Sequence, residues 1–471
     1  MSSPKALRIA FVHPDLGIGG AERLVVDAAL GLQKMGHNVD IYTSHHDPKH
    51  CFEETRDGTL SVHAVVPPFP RSFRRKLHIL FANARQLHLT VHLLRRRRYD
   101  VYFVDQLSTC VPLLRALTGT RVVFYCHFPD KLLADGAYVE GKAKGGSLLK
   151  RLYRFPVDKL EEVTTRNADI ILANSKFTAR VFQTHFPSIQ VTPTVVYPGI
   201  NLAAYDVQAV DPSDPDVAQV VSDQPTLLSL NRFERKKNAA LAIESFALLR
   251  EKLPKDSPLS NLRLVIAGGY DPRLEDNMMT LAHLIDRVKA RSLSYDVIKP
   301  NASTVSIPPF ITTKNSPSVL FLLNFTTAQR SALLTSPSTL ALLYTPTNEH
   351  FGIGPVEAMY CGVPVLACNS GGPTESVVDA DEGRTGWLRE PDPQVWADTL
   401  AEIVNISSKE RRVLSDHART RAREYFSMEA MTQHIEEALH QAIAQGPVPA
   451  PFGIIVLLVA LLTALIACLV L

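Results

Sequence analysis

The chain has 471 residues, 46% of them apolar and 21% charged, and a formal net charge of +3. That length exceeds what one core serves and calls for two domains, while so small a charge excludes a protein that binds by neutralising nucleic-acid phosphates. Six cysteines, none in a Cys-x-x-Cys pair, fit reduced thiols in a cytosolic body and give no zinc site or disulfide framework.

From the N-terminus, a strand over Leu7 to Val12, a glycine loop from His13 to Gly20, a helix over Ala21 to Met35 and a strand over Val39 to Thr43 make a β-α-β unit. Leu24, Val25, Ala28, Ala29 and Leu32 share one helix face. The first apolar run is too short for a secretory h-region and is read as a strand, not a signal peptide. Arg71 to Arg98 carries nine Lys or Arg and no acid, with Leu77, Leu80, Phe81, Ala84, Leu87, Val91 and Leu94 at helical spacing. Such a basic amphipathic helix can lie on an anionic membrane or meet a lipid diphosphate; equally, it can pack on the core with its basic face solvated. Strands at Val101 to Val104, Arg121 to Cys126, Asp169 to Ala173 and Thr194 to Tyr197 complete a parallel sheet.

An acidic, proline-bearing stretch (Asp211, Pro212, Asp214, Pro215, Asp216) reads as an exposed connection. A second alternation follows, with strands at Thr226 to Leu230, Leu262 to Ala267, Val319 to Leu323, Thr339 to Tyr344 and Pro364 to Ala367. Helices are expected at Ala239 to Leu253, Thr327 to Leu334 and within Lys409 to Ala444, and a long surface loop from Lys289 to Ser318. The fold class is α/β, two doubly wound domains whose carboxyl-terminal strand edges face a cleft. Ile454 to Leu471 is an uncharged run of roughly 27 Å as a helix, close to a bilayer core, and residues 452–471 are expected to be a C-terminal transmembrane tail anchor.

The loop Gly17-Ile18-Gly19-Gly20 lets backbone amides approach phosphate at a helix start. Glu22 stands where a dinucleotide fingerprint needs its third glycine, and no acid ends the second strand, so a nicotinamide oxidoreductase is disfavoured. Asn231 to Asn238 places Arg232, Arg235, Lys236 and Lys237 after a strand, where cations can stabilise a departing diphosphate or simply be solvated. Lys236 and Lys237 are not distinguished by sequence. In Asn348-Glu349-His350-Phe351-Gly352-Ile353-Gly354-Pro355-Val356-Glu357, the glycines precede Pro355 at a helix start, and Glu349 and Glu357 can grip different hydroxyls of one ligand. Asp379-Ala380-Asp381 and Asp214-Pro215-Asp216 match a metal-binding Asp-x-Asp only by letter, so no metal is expected.

These motifs, with Tyr125-Cys126-His127-Phe128-Pro129-Asp130 and Gly371-Gly372-Pro373-Thr374-Glu375, stand in an order that resembles glycosyltransferase family 4 of the GT-B fold over residues 5 to about 440. In particular they resemble the eukaryotic α-1,3/1,6-mannosyltransferases of the dolichol-linked oligosaccharide pathway. The resemblance implies an N-terminal Rossmann-like acceptor-side domain (1–200), a linker (201–224), a nucleotide-sugar domain (225–410) and closing helices (411–445). It implies a GDP-mannose donor, a dolichol-diphosphate oligosaccharide acceptor, no required cofactor, contact with other enzymes of the same pathway, and an endoplasmic-reticulum membrane location with cytosolic catalytic domains. By the same resemblance Arg232 and Lys237 hold the donor diphosphate, Glu349 and His127 contact the transferred sugar, and Glu357 binds the ribose. Gly19 and Gly20 approach phosphate or acceptor, and Phe351, Gly352, Ile353 and Gly354 complete the donor site. Other family 4 donors or lipid acceptors, and a non-catalytic membrane scaffold, are the competing readings. Sequons at Asn301, Asn324 and Asn405 are silent if the body is cytosolic.

Overall fold

Short apolar runs set the strands, and the computed structural model describes residues 6–73, 77–96, 98–133, 148–205, 211–254, 256–307 and 316–449. In the first lobe, β1 (Arg8–His13), β2 (Asn38–Thr43), β3 (Ser61–Ala64), β4 (Val101–Asp105), β5 (Arg121–Cys126), β6 (Ile170–Ala173) and β7 (Thr194–Val195) lie in the order β3-β2-β1-β4-β5-β6-β7. In the second, β8 (Thr226–Leu230), β9 (Arg263–Gly268), β10 (Tyr295–Ile298), β11 (Val319–Leu323), β12 (Thr339–Tyr344), β13 (Val365–Cys368) and β14 (Gly386–Arg389) lie in the order β10-β11-β9-β8-β12-β13-β14. Every pairing is parallel. Helices cover both faces, so the central strands are mostly apolar and β4, β8, β9 and β11 are buried at every residue. The order reverses between β1 and β4 and between β8 and β12, and crevices open at those switch points.

Among the described residues the chain crosses between lobes twice, side by side. Ile200 N–H donates to the Phe426 carbonyl at 2.9 Å, and Met428 N–H to the Ile200 carbonyl at 3.0 Å. The helix Ser408–Phe426 packs on the second lobe, with Ala418, Ala422 and Phe426 in its core. The next helix, Met428–Ala444, returns to the first lobe and buries Met431, Ile435 and Leu439 beside Leu24, Val25 and Leu32. Gly31, in the helix Gly20–Lys34, lies where that helix touches Met428–Ala444, and a Cβ there would collide with Thr432.

Two expectations need correction. Within 289–318 the chain is not only loop: the helix Glu275–Ala290 enters it, and Tyr295–Ile298 adds β10 at the sheet edge, with Tyr295 and Val297 buried. Its Ser- and Pro-rich flanks hid a four-residue strand. The basic segment does contain a helix, His78–Leu94, and of its two readings the one that packs the apolar stripe on the core is not met: Phe81, Ala84, Leu87 and Leu94 are only half-buried. Its buried face carries Asn83, Arg85, Gln86, Leu89, Thr90 and Leu93, whereas Leu77, Leu80 and Val91 are 37%, 50% and 48% exposed. The polar face is held inward by partners: Arg85 bonds Asp15 and the Ser44 carbonyl, and Gln86 bonds the Leu107 carbonyl and Cys110 N–H. No described helix is long and apolar enough to cross a membrane, and the run 452–471 lies outside the described residues.

Candidate functional site

A cavity of about 650 Å³ lies between the strand ends of the two lobes. From the first lobe it is lined by the loop after β1, where Gly19 is extended and the helix Gly20–Lys34 begins without a side-chain cap. A Cβ on Gly20 would meet nothing within 4 Å, so room for the protein itself does not demand glycine there. Arg23, on the same helix, also lines the cavity and bonds Glu54 at 3.1 Å and Asp27. Burial raises the Asp27 carboxyl above its ordinary value even against Arg23.

From the second lobe come the ends of β8 and β12. Arg232 and Lys237 follow β8 and line the cavity; Arg232 is largely exposed and bonds Glu234 at 3.0 Å. Lys236 also turns to Glu234, at 3.1 Å, and does not line the cavity, which separates the two adjacent lysines. Lys237 is held from both sides: its carbonyl accepts from Thr345 Oγ1 at 2.7 Å, and its ammonium pairs with Glu349. Burial alone would raise the Glu349 carboxyl, but the Lys237 charge overrides it and holds the group below its ordinary value. Glu349 is therefore an anion at neutral pH.

The helix Ile353–Cys361 follows, with Gly352 as its cap at φ 88° and no side-chain cap on its first amides. That left-handed turn favours glycine, and a Cβ would also press on the Tyr344 ring at 3.1 Å. Ile353, Gly354 and Glu357 line the cavity, and the uncapped helix start directs its amides and positive dipole end there. Glu357 is buried, accepting from Arg330 at 2.9 Å and from Tyr205. Phe351 does not line the cavity: its ring is buried against Tyr197 and Phe426, with centroids 5.7 and 5.6 Å away, a packing position.

His127 stands just past β5 and does not line the cavity. Its Nε2 bonds Asp105 Oδ2 at 2.9 Å, and its neighbour Phe128 stacks on His350 of the second lobe at 3.8 Å. Burial pushes the His350 imidazole down to about 4, so it is neutral. Asp105, Tyr205 and Arg330 were not singled out from sequence. Asp105 could have been, as an acid ending an otherwise apolar strand at a switch point.

The two letter-matches to Asp-x-Asp are occupied structurally. Asp214 caps the helix Pro215–Ala218, and Asp379 pairs with Arg389. His37, Glu436 and His440 also cluster, but His37 Nδ1 accepts from Leu7 N–H, so its Nε2 carries the proton given to Glu436 and is not a ligand.

Residues 18–204 match the family Glycosyltransferase Family 4, and residues 312–421 match Glycosyl transferases group 1. An α-1,3/1,6-mannosyltransferase ALG2 of Rhizomucor pusillus is 46% identical over 460 residues, covering 96% of each chain. The protein of the same description from Saccharomyces cerevisiae is 40% identical over 444 residues, covering 92% of this chain and 85% of its own. Among solved structures, a glycosyltransferase from Rickettsia africae superposes with a TM-score of 0.65 at 15% identity, covering 94% of this chain and all of its own. HepE of Anabaena, in complex with UDP and glucose, superposes at 0.62 with 18% identity, covering 92% of this chain and all of its own. At such identities these structures establish the shared fold.

Proposed function

This chain belongs to glycosyltransferase family 4 and, within it, to the α-1,3/1,6-mannosyltransferases of dolichol-linked oligosaccharide assembly, and from that membership we propose that it transfers mannose from GDP-mannose to mannosyl-chitobiosyl-diphosphodolichol, α1,3 first and α1,6 second. The carrying observation is the second-lobe clamp: a cation–carboxylate pair, Lys237 with Glu349, beside an uncapped helix start. In this reading Arg232 and Lys237 hold the diphosphate, Glu357 takes the ribose, and the amides of Gly352, Ile353 and Gly354 face the donor. Glu349 and His127 contact the mannose, and Gly19 and Gly20 approach from the first lobe.

The transfer breaks the bond between mannose C1 and the diphosphate oxygen and forms one between C1 and an acceptor hydroxyl oxygen. The hydroxyl attacks from the face the diphosphate leaves, so configuration is retained, and the leaving phosphate oxygen takes the hydroxyl proton. Fixed cations at the diphosphate favour the transition state because its charge exceeds that of the bound donor. Glu349 is a sugar-binding anion here, not a nucleophile, since the leaving group needs no covalent help. Residues 1–200 serve the acceptor and 225–410 the donor. No step requires a metal.

The acceptor is a lipid, and two segments suit a membrane: the apolar run 452–471, read as a C-terminal anchor, and the outward Leu77, Leu80 and Val91 amid flanking basic residues. The assignment is to the cytosolic face of the endoplasmic reticulum. The test gives the purified full chain in detergent a panel of nucleotide sugars with polyprenyl-diphosphate chitobiose bearing one mannose, and maps product linkages. Transfer from GDP-mannose with α1,3 and α1,6 products, lost in Glu349→Ala and Arg232→Ala, is expected. Transfer from UDP-sugars alone would overturn the donor assignment.

A further inference from the structure

β1, β4 and β5 are neighbours in the first sheet, and all three end at the cleft with a polar residue at or just past the last position: His13, Asp105 and His127. These join into one chain. His13 Nδ1 lies 2.8 Å from Asp105 Oδ1, and His127 Nε2 lies 2.9 Å from Asp105 Oδ2. His13 and Asp105 are fully buried, while the His127 side chain keeps 19% of its surface exposed. The His127 carbonyl accepts from Asn174, just past β6, at 2.9 Å, so its backbone is fixed too.

The hydrogen-bond partners of each ring nitrogen set the protons. His13 Nε2 faces the Asp15 carbonyl at 3.0 Å and, further off, the Glu22 carboxylate at 3.9 Å, so both ring nitrogens of His13 see only acceptors. A neutral ring would leave one of them facing an acceptor without a proton, so His13 is an imidazolium. Burial works against that charge, but Asp105 overrides it and raises His13 to about 10. Asp105 is correspondingly an anion, held below its ordinary value by His13 and His127 against burial. An anion can only accept, so the nitrogen of His127 that meets it carries the proton. Among the described residues, the Tyr125 ring lies 4.9 Å from that of His127 between centroids, and neutral His350 of the second lobe interacts with it electrostatically.

Resting on the proposed mannosyl transfer, we propose that Asp105 and His13 are positioning residues for His127: together they lock its imidazole in the Nε2–H tautomer and leave Nδ1 as the ring atom offered to a hydroxyl of the transferred sugar. A carboxylate behind a histidine fixes both its ring angle and its tautomer, and the His13 imidazolium behind that carboxylate holds the carboxylate itself in place. His13 thus acts two residues away from the sugar, through Asp105.

The test is a double-mutant cycle with a spectroscopic arm, on the full chain in detergent with GDP-mannose and the polyprenyl-diphosphate acceptor. Asp105→Asn should lower kcat on the order of 10²-fold, with KM for GDP-mannose within about threefold because the diphosphate clamp is untouched. In a His127→Ala background the same substitution should cost nothing further, since its whole effect passes through the missing ring. Equal losses in both backgrounds would make Asp105 merely structural and overturn the proposal. Long-range 15N–1H spectra of histidine-labelled protein should show His127, assigned by its absence in His127→Ala, as Nε2–H in the wild type and mixed in Asp105→Asn. An Nδ1–H wild type, or no change on substitution, would overturn it. Should Asp105→Asn not fold, His13→Gln replaces it in both arms, with a loss on the order of tenfold expected only when His127 is present. The spectra need no substrate, so failure of wild-type mannosyl transfer would refute the functional reading while they still judge the chain of contacts.

Discussion

Lys237→Met separates what the Lys237–Glu349 pair does for the fold from what it does for chemistry. The two side chains are 12% and 21% exposed, so removing the ammonium leaves a mostly buried carboxylate without its partner. Breaking such a pair from one side costs about 3–5 kcal/mol, and the residual exposure argues for the lower end. Both tryptophans of the chain, Trp387 and Trp396, are buried in the second lobe's core, so intrinsic fluorescence reports unfolding of the lobe that holds the pair. With a urea slope of about 3 kcal/mol/M, the midpoint should fall by roughly 1 M with the slope unchanged. The acid dependence should also invert. In the wild type the folded Glu349 is held below its unfolded value, so its contribution is present at neutral pH and lost as pH falls through that depressed value. Without Lys237, burial raises Glu349 instead, and stability then grows as pH falls and the carboxyl is neutralised. Lys237→Met/Glu349→Gln should recover most of the stability and none of the transfer activity. A midpoint unchanged in Lys237→Met, or the same acid dependence in variant and wild type, would refute this account of the pair.

Gly20→Ala should leave unfolding within about 1 kcal/mol of wild type, because the new methyl meets nothing within 4 Å; it should lower kcat/KM for GDP-mannose on the order of tenfold if backbone approach to the ligand is what glycine serves, and unchanged kinetics would remove Gly20 from the site. Burial and the neighbouring Asp130 raise Glu161 to about 7, so the first lobe should lose stability on the order of a few kcal/mol as pH rises from about 5 to 8, and Glu161→Gln should flatten that slope in hydrogen-exchange measurements. Leu80→Glu with Val91→Glu should leave the unfolding midpoint unchanged and reduce sedimentation with anionic vesicles at least severalfold; equal sedimentation would mean this helix is not a membrane contact. Glycosidase treatment of the native protein should produce no mass shift, because the proposed cytosolic placement keeps all three sequons, exposed Asn301 included, from the glycosylation machinery; a shift would overturn that placement.

The helix His78–Leu94 shows where sequence legibility stopped. Periodicity reveals two faces of a helix but not which one turns inward, and here buried partners for Arg85 and Gln86 outweigh the apolar stripe. Central strands are legible to within a residue because parallel strands covered on both faces are near-continuous apolar runs. The edge strands β3, β10 and β14 were missed, being four residues long and partly exposed, with little contrast to their loops. In the site, glycines and charges adjacent in sequence are legible in part: Gly19, Gly20, Arg232, Lys237, Gly354 and Glu357 converge on one cavity, whereas Glu349, Gly352, Phe351 and His127 do not line it. Tyr205 and Arg330 are not legible, because they reach Glu357 from 152 and 27 residues away and no local pattern marks them.

The motif Gly371 to Glu375 gains its meaning from the same convergence. Gly371 has φ 70°, and Cβ atoms on Gly371 or Gly372 would collide with the backbone of Glu349 or Phe351, so this turn braces the loop that carries Glu349. Gly372 N–H donates to the Glu349 carbonyl at 2.7 Å. Glu375, at the end of the turn, reaches across to the first lobe, where its carboxylate accepts from Lys176 and Phe177 N–H at 2.7 Å each, the first two amides of the helix Lys176–His185. Beside it, Ser175 Oγ donates to the His350 carbonyl at 2.5 Å. The first-lobe helix is therefore capped by the second lobe, and separating the lobes exposes those amides to water at the same moment that it draws His350 away from Phe128. The inter-lobe contacts of Ser175 and Phe128 both fall on His350, the neighbour of Glu349, so separating the lobes removes two contacts from that loop while the brace from Gly371 and Gly372, within the second lobe, stays in place.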